Sequence, residues 1–167
     1  MSQVGATQLA GATDIAGSAA VALDSVYWNA VGRGAGSILA YAVLGLVLLV
    51  IGFYAIDLAT PGRLSTIIRD ERNPNATMLA AAGVFAVSLI VVAAIFASGG
   101  RLLEGLISTL VFGLVGILAQ VVAAVVFTLL VRIDVRRLVH EPAIQPAAVL
   151  LGVTTVAIGL VTAMAVI

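Results

Sequence analysis

The stretch DLATPGRLSTIIRDERNPNAT, from Asp57 to Thr77, is the longest polar interruption in a chain that is otherwise largely apolar. An apolar run long enough to cross a bilayer stands on each side of it. A shorter stretch of similar character, RIDVRRLVHEPAIQP from Arg132 to Pro146, lies between two further apolar runs. This layout predicts two helical hairpins, each folded around a charged loop, and therefore an integral membrane protein.

Composition supports the membrane class independently of any motif. Hydrophobic residues make up 62% of the 167 residues and charged residues 10%, and the mean hydropathy is +1.23. A water-soluble domain of this size has no surface on which to place so many apolar side chains. The chain has no cysteine and one histidine, and its formal net charge is zero. These counts exclude disulfides and cysteine-based metal sites, and they offer no basic patch for nucleic acid.

Four apolar runs are predicted to be transmembrane helices. A helix rises about 1.5 Å per residue and the hydrocarbon core is about 30 Å thick, so about 20 residues are needed. Backbone groups in lipid must pair within a helix or a closed barrel, and the runs lack the period-two alternation of barrel strands. The predicted fold is therefore all-α, with a membrane domain over residues 36–167. Its spans are residues 37–56, 78–97, 106–131 and 147–167.

Residues 1–35 are rich in alanine, glycine and serine and are predicted to form a flexible N-terminal segment, disordered over residues 1–15. Two interpretations stay open for Ile15–Ala30: a short helix lying at the membrane interface, or part of a flexible tail. Tyr27 and Trp28 favour the first, because amphipathic rings settle at the level of the lipid headgroups.

The arginines predict the orientation of the chain. Six of the eight lie in the two charged loops, whereas Arg33 and Arg101 lie on the opposite side. Arginine in short loops is enriched on the cytoplasmic side of membranes. We therefore expect both charged loops in the cytoplasm and both termini outside.

The two hairpins also predict an internal repeat. FYAIDLATPGRL around the end of the first span is similar to LLVRIDVRRL at the end of the third, which aligns Asp57 with Asp134. After each loop, Gly83 aligns with Gly152. Two tandem two-helix copies share one orientation, so we expect an axis along the membrane normal to relate them.

Asp57-x-x-Thr60-Pro61-Gly62, followed by Asn73-x-Asn75-Ala76, resembles the YjfL-like family of small bacterial membrane proteins, also called domain of unknown function 350. The resemblance covers about residues 37–167, and the lysine-free, Ala/Val-rich spans look actinobacterial. It implies a four-span fold of two tandem repeats and no established activity. The second loop departs from the pattern, since Ile144-Gln145-Pro146 stands where the family often has an asparagine.

Two acidic residues are candidate functional positions. Asp57 is either part of a proton or ion pathway or a structural acid at the membrane interface, paired with Arg63. We favour the structural interpretation, because the first span has no polar neighbours that continue a path between Tyr41 and Tyr54. Asp134 has arginines two and three residues away and is predicted to be neutralised by them.

Two amides are further candidates. Asn75 or Thr77 is predicted to cap the second span by accepting a hydrogen bond from its first turn, with anion binding at that helix end as the alternative. Gln120 lies near the middle of the third span. We favour a role in joining helices by a hydrogen bond, and the alternative is that it lines a substrate path. The small residues of the spans, among them Gly83 and Gly152, are predicted to mark helix–helix contacts.

No nucleophile–base pair, metal cluster or phosphate loop can be assembled from these residues. We therefore predict a non-enzymatic membrane protein without cofactor, metal or catalytic residues. Its expected role is an oligomerising bundle, a scaffold or an accessory subunit. Its expected partners are the lipid bilayer, further copies of itself, and a membrane or cytoplasmic protein. The alternative is an oligomeric channel or small-solute transporter with Asp57 and Gln120 along its path.

Overall fold

The computed structural model describes the backbone of residues 2–60 and 64–167, and the side chains of residues 17, 24–60 and 65–167. The described residues are almost entirely helical. The helices, in chain order, are α1 Ser2–Ala59, α2 Leu64–Thr66, a π-helical segment Ile67–Glu71, α3 Pro74–Ala97, α4 Leu102–Val131, α5 Val135–Leu138 and α6 Pro146–Val166.

The chain divides into two compact units, Met1–Ala40 and Tyr41–Ile167. In the first unit, the backbone from Ser2 onward is helical and belongs to α1. Trp28 donates a hydrogen bond from Nε1 to Asp24 Oδ1 at 2.8 Å, and both side chains are exposed. The backbone of residues 2–30 is helical, while the disorder predicted for residues 1–15 and the two interpretations of Ile15–Ala30 stay predictions. The flexibility of residues 1–35 as a segment stays a prediction.

Within the described residues, four helices are long and apolar enough to cross a membrane, and the protein is a four-span membrane protein. The spans are Asp24–Ala59, Pro74–Ala97, Leu102–Val131 and Pro146–Val166. The last three begin one to four residues before the predicted spans, because their first turns include Pro74, Glu104 or Pro146, which interrupt or precede the apolar run. α4 has 30 residues and is thus about 45 Å long, which exceeds a hydrocarbon core of about 30 Å. It must tilt or extend beyond the core.

Within the second unit, α3 is the central helix. Of its most apolar window, 39% is buried inside the protein, against 17% for α4 and 22% for α6. Val87 lies in a cluster with Leu48 of α1 and Ile117 of α4, while Ile90 packs with Ala163 of α6. α3 therefore contacts all three other spans, and the remaining helices keep broad apolar faces for lipid.

Small residues permit these close contacts, as the sequence predicts. A Cβ added to Gly159 of α6 would stand 2.5 Å from the Cβ and 2.8 Å from the Cα of Ala86, so the two backbones nearly touch. A Cβ on Gly83 of α3 would stand 2.8 Å from Cδ1 of Ile56 in α1. Gly152 has more room, since its nearest neighbour, Ala82 Cβ, would be 3.6 Å away. Close approach is the main source of attraction between helices in lipid.

The first charged loop comprises residues 60–73 and the second residues 132–145. Each contains a short helix, and each is followed by a span that begins with proline, Pro74 or Pro146. Proline suits the first helical position, where its missing N–H would be unpaired in any case. Arg72 and Arg132 adopt left-handed conformations with φ of 50° and 55°, which are uncommon for residues other than glycine. The internal repeat stays a prediction.

Candidate functional site: two joined loops and an intramembrane cavity

Asn73 caps the N-terminus of α3. Its Oδ1 accepts hydrogen bonds from the backbone N–H groups of Asn75 at 2.8 Å and Ala76 at 3.2 Å. The prediction that Asn75 or Thr77 is the cap was therefore wrong, by two or four residues. Because Pro74 occupies the first helical position, the residue before it takes the capping place.

Asn75 instead joins α3 to the second charged loop. Its Nδ2 donates to the carbonyl oxygens of Glu141 at 3.0 Å and Ala143 at 2.8 Å, and its Oδ1 accepts from the backbone N–H of Gln145 at 2.9 Å. The side chain is fully buried. Asn73 Nδ2 adds a fourth bond, to the carbonyl oxygen of Glu141 at 2.8 Å. We call these four bonds, made by Asn73 and Asn75, the asparagine clasp.

Apolar packing lies beside the asparagine clasp. Ala76 and Ala80 of α3 form a buried cluster with Ile67 of the π-helical segment and Val139 of the second loop. Ile67 is 3% exposed and Val139 is fully buried. Both loops are thus held down on the same end of α3 by hydrogen bonds and by apolar contact.

Asp57 folds the first loop back onto the end of α1. It is 8% exposed. Its Oδ1 accepts from the backbone N–H of Ser65 at 2.9 Å, and its Oδ2 accepts from the hydroxyl of Ser65 at 3.0 Å. The predicted partner, Arg63, lies outside the described residues. These two bonds hold the start of α2 against the end of α1, and the structural interpretation of Asp57 stays a prediction.

Asp134 caps a short helix rather than pairing with its arginine neighbours. Its Oδ1 accepts from the backbone N–H of Arg137 at 3.2 Å, at the start of α5. In the described part of the chain it makes no ion pair, so the prediction that the arginines neutralise it is not supported. Arg137 approaches Glu141 instead, at 3.9 Å between Nε and Oε1.

Charged and titratable side chains of both loops lie exposed at this end of the protein. His140 Nδ1 is 2.7 Å from the carbonyl oxygen of Arg136, and its Nε2 is 4.0 Å from Oε1 of Glu71 in the first loop. Within the described residues, no group of three or more histidine and acidic side chains is placed to hold a metal ion.

Gln120 lies in the interior between α4 and α6, 1% exposed. Its Nε2 donates to the backbone carbonyl of Thr155 at 2.9 Å, which joins the two helices as the packing interpretation predicts. Its Oε1 is buried and has no hydrogen-bond partner among the described residues. An unpaired buried carbonyl typically costs about 1–3 kcal/mol, so this atom calls for an explanation.

A cavity of about 310 Å³ runs beside Gln120 within the second unit. Its wall is mostly apolar side chains of α4 and α6, among them Ala124, Phe127 and Leu151. Thr154 and Thr155 line it near Gln120, and Asp134 and Arg136 line it at the end nearest the loops. The alternative interpretation of Gln120, that it borders a path, thus retains a physical basis.

The sequence reasoning missed two residues of this region. Asn73 was recognisable as the cap from the proline that follows it. Ser65 was not recognisable, because a serine in a polar loop fits many places.

Comparison with known proteins gives the family. The family model described as Domain of Unknown Function (DUF350) matches residues 26–166. A UPF0719 transmembrane protein of Mycolicibacterium paratuberculosis is 35% identical over 147 residues, which cover 88% of this chain and 97% of the relative. A UPF0719 transmembrane protein of Mycobacterium bovis is 34% identical over 125 residues, or 75% of this chain and 82% of the relative. No solved structure matches.

The family model covers most of the chain, with three spans in full and the first from its third residue, which agrees with a fold built around four membrane helices. The relatives carry no name of an activity, a substrate or a partner. The chain therefore belongs to the DUF350 family of multi-pass transmembrane proteins.

Proposed function

We propose that this protein is a non-enzymatic membrane scaffold or accessory subunit whose two charged loops form one binding surface for a partner protein. The asparagine clasp is the observation that supports this most directly. Asn75 is fully buried. Its side-chain Nδ2 and Oδ1 both bond to the backbone of a loop that lies 66 to 70 residues away in the sequence. Loops with no task in binding would not need to be fixed together.

The charge on the joined loops supports a protein partner. Arginine and acidic side chains alternate over the surface, exposed and mostly without close ion pairs: Arg69, Asp70, Glu71, Arg72, Arg136 and Arg137. Mixed charges in fixed positions give specificity and orientation in binding rather than general attraction to one sign of charge. A rigid surface also avoids the cost of ordering loops on binding.

Photo-crosslinking in the native membrane tests the proposal. A genetically encoded photoreactive residue is placed at Arg69 and at Arg137, one in each loop. The matched control position is Val92, 64% exposed on α3 among apolar residues. We expect the two loop positions to give the same protein adduct and Val92 not to give it. Different adducts from the two loops, or none at either, would contradict a shared binding surface.

The proposed topology places both charged loops in the cytoplasm, at the inner membrane, with both termini outside. Single cysteines replace Ser2, Asp70, Ile144 and Ile167, since the natural chain has none, and intact cells are treated with an impermeant thiol reagent. We expect labelling at the two termini and protection at the two loop positions. The reverse pattern would refute this orientation.

Homo-oligomerisation belongs to the same proposal, supported by the broad apolar faces that α4 and α6 keep outside the bundle. Single-molecule photobleaching of labelled protein in vesicles, at high lipid dilution, counts the copies. Two or more copies per particle are expected. A single copy at all dilutions would remove oligomerisation from the proposal and leave the loop surface standing.

The alternative is a channel or carrier, and the unpaired Oε1 of Gln120 beside a cavity is the observation that favours it. A proton-flux measurement distinguishes the scaffold proposal from this alternative. Wild type and Asp57→Asn are each reconstituted into vesicles that contain a pH dye, and a membrane potential is imposed. The scaffold proposal expects no proton flux from either protein. Flux that the Asn variant abolishes, with folding and oligomeric state unchanged, would favour transport.

A further inference from the structure

The cavity between α4 and α6 has the features of a binding site for a lipid-like molecule. Its volume of about 310 Å³ lies at the lower end of the roughly 300–1,000 Å³ typical of ligand sites. The wall is formed mainly by aliphatic side chains, such as Val121, Val125 and Ile158. Such a wall favours an aliphatic ligand, because it offers no hydrogen bonds over most of its surface.

One region of this wall is polar, and it lies deep in the membrane. Gln120 is eleven residues before Val131, the last residue of α4, which corresponds to about 16 Å along the helix axis. Thr154 lines the cavity there with Gln120. Polar groups at this depth are expensive and are normally paired.

Thr154 differs from the other threonines of the membrane helices. In α3, α4 and α6, every other threonine hydroxyl donates to a backbone carbonyl oxygen: Thr77, Thr109, Thr128, Thr155 and Thr162. The Thr154 hydroxyl has no hydrogen-bond partner in the described part of the chain. A threonine inside a helix can always satisfy its hydroxyl by bonding to the preceding turn, so a hydroxyl that does not is free to bond to something else.

Two polar side chains of the cavity wall, Gln120 and Thr154, therefore each keep a group without a hydrogen-bond partner in the described part of the chain. Gln120 Nε2 is already used, since it donates to Thr155. Gln120 Oε1 lacks a donor, and the Thr154 hydroxyl can donate and accept at once.

We infer that this cavity binds an aliphatic chain that carries a hydroxyl group, with the hydroxyl held at Thr154 and Gln120. On binding, the ligand hydroxyl donates to Gln120 Oε1, which is buried in the ligand-free protein, and accepts from Thr154. The aliphatic part fills the space along α4 towards Arg136. Neither scaffold function nor partner binding is required for this site.

A photoreactive probe tests the site in the intact protein. The full chain is reconstituted in phosphatidylcholine vesicles with a long-chain alcohol that carries an alkyl diazirine. Labelled residues are mapped by mass spectrometry. The competitors are the unlabelled alcohol and its methyl ether, which has the same chain and no donor. A phospholipid with a hydroxylated acyl chain is a third competitor and distinguishes a lipid-borne hydroxyl from a free alcohol.

We expect labels on cavity residues such as Ala124 and Leu151. The alcohol or the hydroxylated phospholipid should compete about three- to tenfold more strongly than the ether, the value of one net hydrogen bond. Thr154→Val keeps the shape of the side chain and removes the donor to the ligand oxygen, so it should weaken competition by the alcohol and by the ether alike. Thr162→Val is the matched control, because it removes a hydroxyl that is already paired on the same helix, and it should leave the competition of both compounds unchanged.

Two results would overturn the inference. One is labelling spread evenly over the lipid-facing sides of α4 and α6, which means that no site exists. The other is equal competition by alcohol and ether in the wild type, which means that the polar pair does not select a hydroxyl. Thr154→Val leaves the Gln120–Thr155 bond in place, so the comparison does not depend on a variant that fails to fold.

Discussion

The two charged loops solve the same problem in different ways. Each must reverse the chain between two spans, and each begins with an acidic residue near the end of a span, Asp57 or Asp134. Asp57 is 8% exposed and binds Ser65 twice, whereas Asp134 is exposed and makes one 3.2 Å bond to the N–H of Arg137. The first loop is anchored by its own acid, and the second is anchored by Asn73 and Asn75 from the first hairpin. Similar sequences at the ends of the first and third spans therefore do not produce similar anchoring contacts in the loops that follow.

The largest effect is expected from breaking the asparagine clasp. Asn75→Ala removes three hydrogen bonds and leaves buried backbone groups of the second loop unpaired, which should lower the free energy of unfolding by about 3 kcal/mol. Denaturant titration in mixed micelles measures it. Gln145→Ala is the matched control, since Asn75 contacts only the backbone N–H of that residue. Equal stability of the two variants would show that the second loop is held by other contacts.

Removing the acid of the first loop should cost less. Asp57→Ala takes away a buried carboxylate with two hydrogen bonds, and we expect a loss of roughly 2 kcal/mol. Ser65→Ala keeps the backbone bond and removes the hydroxyl bond, so it should lose about half as much. The same titration gives both values. If Ser65→Ala were as harmful as Asp57→Ala, the backbone bond would contribute nothing.

The equivalent change in the second loop should be smaller again. Asp134→Ala removes one N-cap from a helix of four residues, for which about 1 kcal/mol is typical. Limited proteolysis near Val139 provides a second measurement, because loss of α5 should expose the loop. A cost equal to that of Asp57→Ala would mean that the two acids have equivalent roles, and the predicted repeat would then extend to the loops.

The smallest effect is expected at the ion pair of the second loop. Arg137 and Glu141 are 3.9 Å apart, with side chains 82% and 42% exposed, and such pairs contribute about 0–1 kcal/mol. Arg137→Gln should leave thermal stability in detergent unchanged within error. A clear loss would indicate that Arg137 has a further contact, for example with a bound partner in the membrane.

The sequence predicted the fold well and the loop contacts poorly, for a physical reason. Crossing a bilayer requires a continuous apolar run, and such a run can be recognised directly in the amino-acid sequence. The hydrogen bond from Gln120 was also predictable in kind, because a lone amide within lipid must find a partner. Asn75 was misassigned because its partners are backbone groups of a distant loop, which no local pattern marks. Asp57 was expected beside Arg63, and its observed bonds to Ser65 depend on how the loop turns.

The asparagine clasp can form only late in synthesis, after the second charged loop has been made. Its partners Glu141, Ala143 and Gln145 are made 66 to 70 residues after Asn75. When the first hairpin enters the membrane, the amide at the start of α3 still lacks every bond that it has in the finished protein. We expect chains that stop at Val131 to be degraded faster than the full chain, and an Asn75→Leu change to lengthen the lifetime of that fragment. Pulse-chase measurement of the fragment with and without the change decides this. Asn75 would then stabilise the complete protein and, while its side chain lacks partners, promote degradation of the incomplete chain.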